Sequence, residues 1–187
     1  MKALLPSGLL LLLGLLAPLT ATPYTESLTG INFPDELSGM LLTKITDYEA
    51  QNPGGGTGIS YRAPNAKADF YIYNGGLKNI PSNLDSPPIS QHFQAVVDAI
   101  PKLLGQPENQ LKILQPREEI RIGQLAFLHT ALSYQLNDEG KITHVYLTSL
   151  NHQFLKIRFT CINSSLQVND RILQDFLQGS AKLWPSP

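Results

Sequence analysis

The feature that most limits what this chain can fold into is the shortness of the links between its strand-like runs. Asn65-Ala66-Lys67, Asn137-Asp138-Glu139-Gly140 and Asn151-His152-Gln153 each separate two stretches of alternating or aromatic and β-branched residues. Adjacent parallel strands need a crossover of a dozen or more residues, whereas antiparallel strands close through a tight turn. The expected sheet is therefore mostly antiparallel. Two segments of helical periodicity interrupt and follow the strands, so the expected class is α+β, a sheet packed with two principal helices.

The first helix is announced by Ser86-Pro87-Pro88, a capping residue followed by proline in the first turn. Ile89, Phe93, Val96, Val97 and Ile100 then recur at intervals of three and four and make one apolar stripe. Pro101 is expected to end or kink the run, with Leu103-Leu104-Gly105 completing it. The second helix is expected from about Val168 to Trp184, its stripe formed by Val168, Ile172, Leu173, Phe176, Leu177 and Leu183. Gly58 to Arg62 and Ala68 to Tyr73 form a β-hairpin candidate. Further strands are expected across Leu111 to Leu114, Ile120 to Leu136, Lys141 to Leu150 and Phe154 to Cys161. Leu37 to Ala50 fits either a strand or a helix by pattern, and a strand is preferred. Thr22 to Thr29 is expected as a loose polar lead-in, with regular structure beginning near Gly30.

Met1 to Ala21 has the plan of an export signal: Lys2 as its positive end, a leucine-rich run from Ala3 to Leu16, and the exit Ala17-Pro18-Leu19-Thr20-Ala21. Cleavage near Ala21 or Thr22 would release residues 22–187 as a single domain into a periplasmic or extracellular space. The alternative is an uncleaved anchor over Ala3 to Leu19, through which alone a membrane contact is expected, since a spanning helix needs roughly 17 residues or more. Cys161 is the single cysteine, so no disulfide forms within the chain, and it is expected as a small buried residue at the end of an apolar strand. Asn163-Ser164-Ser165 matches a glycosylation acceptor. A formal net charge of −1 offers no broad attraction to phosphate backbones, which argues against nucleic-acid partners.

Gly56-Thr57-Gly58-Ile59-Ser60-Tyr61, Phe70-Tyr71-Ile72-Tyr73-Asn74-Gly75-Gly76 and Phe154-Leu155-Lys156-Ile157-Arg158 resemble a group of uncharacterised exported bacterial proteins. The element order is similar to the Mog1/PsbP-like arrangement, an antiparallel sheet flanked by helices. Neither resemblance implies an activity or assigns a functional residue.

No motif identifies a reaction. Gly54-Gly55-Gly56-Thr57-Gly58 lacks the Lys-Ser or Lys-Thr of a phosphate loop and leads into a strand, so it reads as a turn. Gly58-Ile59-Ser60 lacks the second glycine of a nucleophile elbow. His92, His129, His144 and His152 show no metal-ligand spacing, and neither a metal nor a cofactor is expected. Glu118 and Glu119, flanked by Arg117 and Arg121, point to opposite faces if they lie in a strand and read as a solvated strand end.

Strand alternation offers one surface worth testing. If Leu155, Ile157 and Phe159 face the core with Val145 and Leu147, then Lys156 and Arg158 should share the other face with His144 and Tyr146. Extending the pairing through the Asn137–Gly140 turn adds His129 and Ser133. The function expected is that of an exported, non-catalytic domain binding a protein partner or a small anionic ligand. The competing reading is a secreted hydrolase using His129 or His144 with Ser133.

Overall fold

A computed structural model describes residues 22–105, 111–136, 139–162 and 166–184. Ten strands and two helices follow in the order β1 (Tyr24–Thr25), β2 (Asn32–Phe33), β3 (Glu36–Leu37), β4 (Met40–Asp47), β5 (Thr57–Ala63), β6 (Ala66–Tyr73), α1 (Pro87–Leu104), β7 (Lys112–Ile122), β8 (Leu125–Leu136), β9 (Glu139–Leu150), β10 (Gln153–Ile162) and α2 (Leu166–Ser180). The α+β class is confirmed. Eight strands form one sheet in the order β3-β4-β5-β6-β10-β9-β8-β7, and β1 and β2 form a separate ladder. Every pairing is antiparallel.

Two meanders meet at the centre of the sheet. The first runs inward from β3 to β6, α1 carries the chain over to the far edge, and the second runs inward from β7 until β10 pairs with β6. The helices cover opposite faces. On the α2 face, Tyr61, Phe70, Phe127, Ile157 and Phe159 pack with Phe176 and Trp184. On the α1 face, Leu128, Leu132, Val145, Leu147 and Phe154 pack with Ile89, Phe93 and Ile100. A sheet covered on both sides has apolar residues on both sides of its central strands, so Val145, Tyr146 and Leu147 are consecutive and all buried.

The local signals explain most of the elements. Ser86 occupies the α1 N-cap in extended geometry, with proline following it, and Gly105 closes the helix in the left-handed region at φ +62°. Pro101 lies inside the last turn without ending it. Asn151 and His152 both take positive φ, 50° and 62°, and form a two-residue β9–β10 turn across which Leu150 pairs with Gln153. Residues 137–138 of the turn expected between β8 and β9, the sequon at 163–165 and the export segment expected over 1–21 lie outside the described residues.

Three expectations are corrected. Thr22 to Thr29 is not loose: β1 pairs with β2, and the buried Glu26 carboxylate accepts hydrogen bonds from Leu28 N, Thr29 N and Thr29 Oγ1. Ile120 to Leu136 is not one strand, because Gly123 at φ +61° reverses the chain between Ile122 and its partner Leu125. Leu111 to Leu114 is not a separate strand either, since β7 runs on through two register irregularities to Ile122. An edge strand tolerates the interruption by Pro116, whose missing N–H removes one ladder bond. Among the described residues, no helix is long and apolar enough to cross a membrane.

Candidate functional site

The register of β10 decides which polar residues meet. Lys156 pairs with Leu147 and Arg158 with Val145, while Ile157 pairs with Tyr146 and Phe159 with His144. Directly opposed residues in an antiparallel ladder project from the same face. Lys156 and Arg158 are therefore on the α1 face. His144 and Tyr146 are on the α2 face, joined there by His129, which pairs with Tyr146, and by Ser133, which pairs with Ile142. This corrects the single strip of six expected from the sequence: Val145 and Leu147 face a second core beneath α1, so taking them as neighbours of Ile157 shifts the register by one.

On the α2 face Glu118, His129 and His144 form a linear chain of polar contacts. His129 Nδ1 lies 2.9 Å from Glu118 Oε1, and His129 Nε2 lies 3.1 Å from His144 Nδ1. The His129 ring is stacked on Tyr146 with centroids 4.6 Å apart. Burial pushes His129 down against the opposing pull of the Glu118 hydrogen bond and charge. Burial, and then the neighbouring His129, pushes His144 down to about 4. Among the described residues Ser133 makes no side-chain hydrogen bond to either histidine, so the nucleophile–base contact of a serine hydrolase is not formed. Glu118, read as a solvated strand end, is instead the anchor of this chain.

The α1 face holds a cavity of about 450 Å³ between the helix and strands β6 and β10. Ala95, Val96, Ala99, Ile100 and Leu103 of α1 supply its apolar wall. Tyr71 and Tyr73 of β6 line the sheet side, with Lys156 and Arg158 of β10. The Lys156 ammonium stands 4.2 Å from the Tyr71 ring centroid and 5.5 Å from that of Tyr73, and among the described residues it forms no ion pair. The Tyr73 hydroxyl lies 2.6 Å from His92 Nε2, and the His92 ring stacks on Phe154 at 4.1 Å.

Charge on this face is unbalanced. Arg158 reaches Asp69 only at 3.4 Å, while Arg62 binds the same carboxylate at 2.8 Å and Ser60 donates to it at 2.8 Å. Burial pushes the Asp69 carboxyl up, but the Ser60 bond and the two guanidiniums outweigh it and hold it below the ordinary carboxylate range. Burial, followed by the Arg158 charge, pushes Lys156 down to about 8. The Arg158 Nε is buried with no hydrogen-bond partner among the described residues. Two guanidiniums thus share one carboxylate, and the Lys156 ammonium beside them has no ion-pair partner among the described residues. Tyr71, Tyr73, Asp69 and His92 were not singled out as site residues from sequence; the alternation Asp69, Tyr71, Tyr73 along one strand was the available signal.

The glycine-rich turn holds an anion of its own. The Glu49 carboxylate accepts hydrogen bonds from the Gly54 and Gly56 amides at 3.0 Å, and these bonds lower its pKa. The turn is a backbone cradle already filled from within the chain. No metal-binding group of three or more His, Cys, Asp or Glu residues occurs among the described residues.

No family model matches the chain, and no curated protein matches it. Solved structures with similar topology at low sequence identity include PA94 of Pseudomonas aeruginosa, a protein of unknown function. It is 16% identical over 89% of this chain and 97% of that chain, with a TM-score of 0.45. A variant of the protein Mog1 is 13% identical over 82% of each chain, with a TM-score of 0.40. LpqN, involved in cell envelope biogenesis of Mycobacterium tuberculosis, is 10% identical over 71% of this chain and 73% of that chain, with a TM-score of 0.35.

Proposed function

We propose that this protein is an exported, non-catalytic domain that binds a small anionic ligand in the cavity between α1 and strands β6 and β10. The observation that carries this reading is the surplus of positive charge on a largely apolar cavity: Lys156 and Arg158 face it, and Asp69, the one carboxylate in reach among the described residues, is already engaged by Arg62. Removing cations from water without a counter-charge is costly, and a bound anion recovers that cost. The volume of about 450 Å³ suits a small molecule with an apolar body and one acidic group.

The test is calorimetric titration with 4-methylbenzoate, an apolar ring bearing one carboxylate. Binding should weaken with added salt, and replacing both Lys156 and Arg158 with glutamine should weaken it by about tenfold or more and flatten the salt dependence. Equal affinity for parent and double variant would overturn the reading. The export half is tested by N-terminal sequencing of secreted material, which should begin near Thr22; intact chains starting at Met1 in the membrane fraction would overturn it.

A further inference from the structure

The cations of the α1 face are not equivalent. Arg62 and Arg158 both reach Asp69, and Lys141 pairs with Glu139. Lys67 lines a separate cavity of about 290 Å³ with Arg62, Tyr134, Lys141 and Thr160. Lys156 alone of these stands against two aromatic rings on the wall of the larger, apolar cavity. A simple counter-ion site has no need of an amine packed in this way. An amine on an apolar wall, beside a proton-carrying pair and a second cation, is the arrangement that favours a nucleophilic lysine.

We infer that Lys156 holds an anionic carbonyl compound, an aldehyde or α-keto acid, as a reversible imine, with the acid group of that compound seated on Arg158. The inference rests on the cavity reading above and names its ligand class. The Nζ lone pair attacks the carbonyl carbon, and the π electrons of the C=O bond move to oxygen. That oxygen gains a proton, and the nitrogen loses one, giving a carbinolamine. Protonation of the hydroxyl then lets it leave as water while the nitrogen lone pair forms the C=N bond, and the iminium nitrogen returns that proton to leave the imine. Amine and carbonyl become imine and water, and nothing is oxidised or reduced.

Each part of the constellation has a place in that sequence. An ammonium has no lone pair; with Lys156 near 8, about one amine in ten is neutral at pH 7, far above the fraction for an exposed lysine. The groups facing it are Arg158 on its own strand, Asp69, Tyr71 and Tyr73 on β6, and His92 on α1. Burial holds the Tyr73 phenol protonated, and burial followed by the Lys156 charge holds His92 neutral. The pair, 2.6 Å apart, carries protons to and from the carbinolamine oxygen. Arg158 lines the cavity and reaches Asp69 only at 3.4 Å, so its guanidinium is the cation placed to receive a carboxylate.

The experiment is reductive trapping of the folded protein with 4-carboxybenzaldehyde and cyanoborohydride, with the modified lysine located by peptide mass analysis. Lys156 should be modified about tenfold faster or more than the exposed Lys78, and excess 4-methylbenzoate, which has the same shape and no carbonyl, should suppress the reaction. Arg158→Gln should slow the trapping, and benzaldehyde, which lacks the acid, should also react more slowly. Lys156→Arg should lose the mark, while the parent protein alone decides the question if that variant fails to fold. Label spread over the lysines according to exposure, or concentrated on Lys67, would overturn the imine. If 4-methylbenzoate still bound in that case, the cavity reading would stand without it; if 4-methylbenzoate failed to bind as well, both would fall.

Discussion

Both faces of the central strands carry polar residues, and they treat them differently. On the α2 face, Glu118, His129 and His144 satisfy one another in a chain that abuts Tyr146 and Phe159. On the α1 face, Arg62 and Arg158 converge on Asp69, Lys156 and Arg158 line a cavity, and one buried guanidinium nitrogen has no partner among the described residues. The difference comes from how the helices lie. The α2 face is filled by aromatic rings in mutual contact, Phe70, Phe159 and Phe176 among them. Helix α1 packs against β9 and presents alanines at the cavity, which leaves space over β6 and β10. Polar groups on a filled face must be matched within the fold, whereas groups beside a gap are free to be matched by something else.

The largest expected effect belongs to the filled face. Phe159→Ala, which removes a fully buried ring stacked on Phe176 at 4.6 Å, should cost about 3–5 kcal/mol in urea unfolding. It should leave 4-methylbenzoate affinity unchanged wherever the variant is folded. Loss of binding in a folded variant would mean that the two faces are not separate.

The faces should also titrate at opposite ends of the pH scale. The folded pKa of His144, about 4, lies below its unfolded value near 6.5, so the unfolded chain takes up the proton first as pH falls. Its contribution is complete above about pH 6.5 and is lost between there and about pH 4, on the order of 2–3 kcal/mol. His144→Gln should flatten that acid limb in unfolding curves measured across the range. Lys156 has a folded pKa near 8, also below its unfolded value, so the unfolded chain binds more protons between about pH 8 and 10.5 and stability rises with pH there. Lys156→Met should remove that rise and stabilise the protein by about 1 kcal/mol at pH 7. A fall in stability on this substitution would mean that the ring contacts outweigh desolvation.

The smallest effect is expected at Cys161, buried with its thiol over the Ile142 carbonyl and its pKa raised by burial. Cys161→Ser should cost about 1 kcal/mol and leave 4-methylbenzoate binding intact. Thiol labelling of the native protein should be slow.

The sequence made the hairpins and α1 legible because their signals are local: a cap, a proline, a turn, a period of three to four. Lys156 and Arg158 were also correctly placed on a common face, since alternation along one strand needs no partner. Which neighbours they have was not legible. A strand buried on one side has a single register that hides its apolar residues, but β9 is apolar toward both cores, and Val145-Tyr146-Leu147 fits either register equally well. The Glu118–His129 contact was hidden for a related reason, as two irregularities in β7 displace its pairing with β8. Gly123 stands alone between Ile122 and Gln124, without the asparagine or aspartate that commonly marks a two-residue turn.

The separation of the faces is tested most directly by recording backbone and side-chain chemical shifts while 4-methylbenzoate is titrated into the protein. The expected result is a saturable set of shifts at Ala95, Val96, Ala99, Tyr71, Lys156 and Arg158, with the His129 and His144 rings unmoved. Shifts centred on His129, His144 and Ser133, or none at any concentration that saturates a small-molecule site, would contradict the assignment of binding to the α1 face.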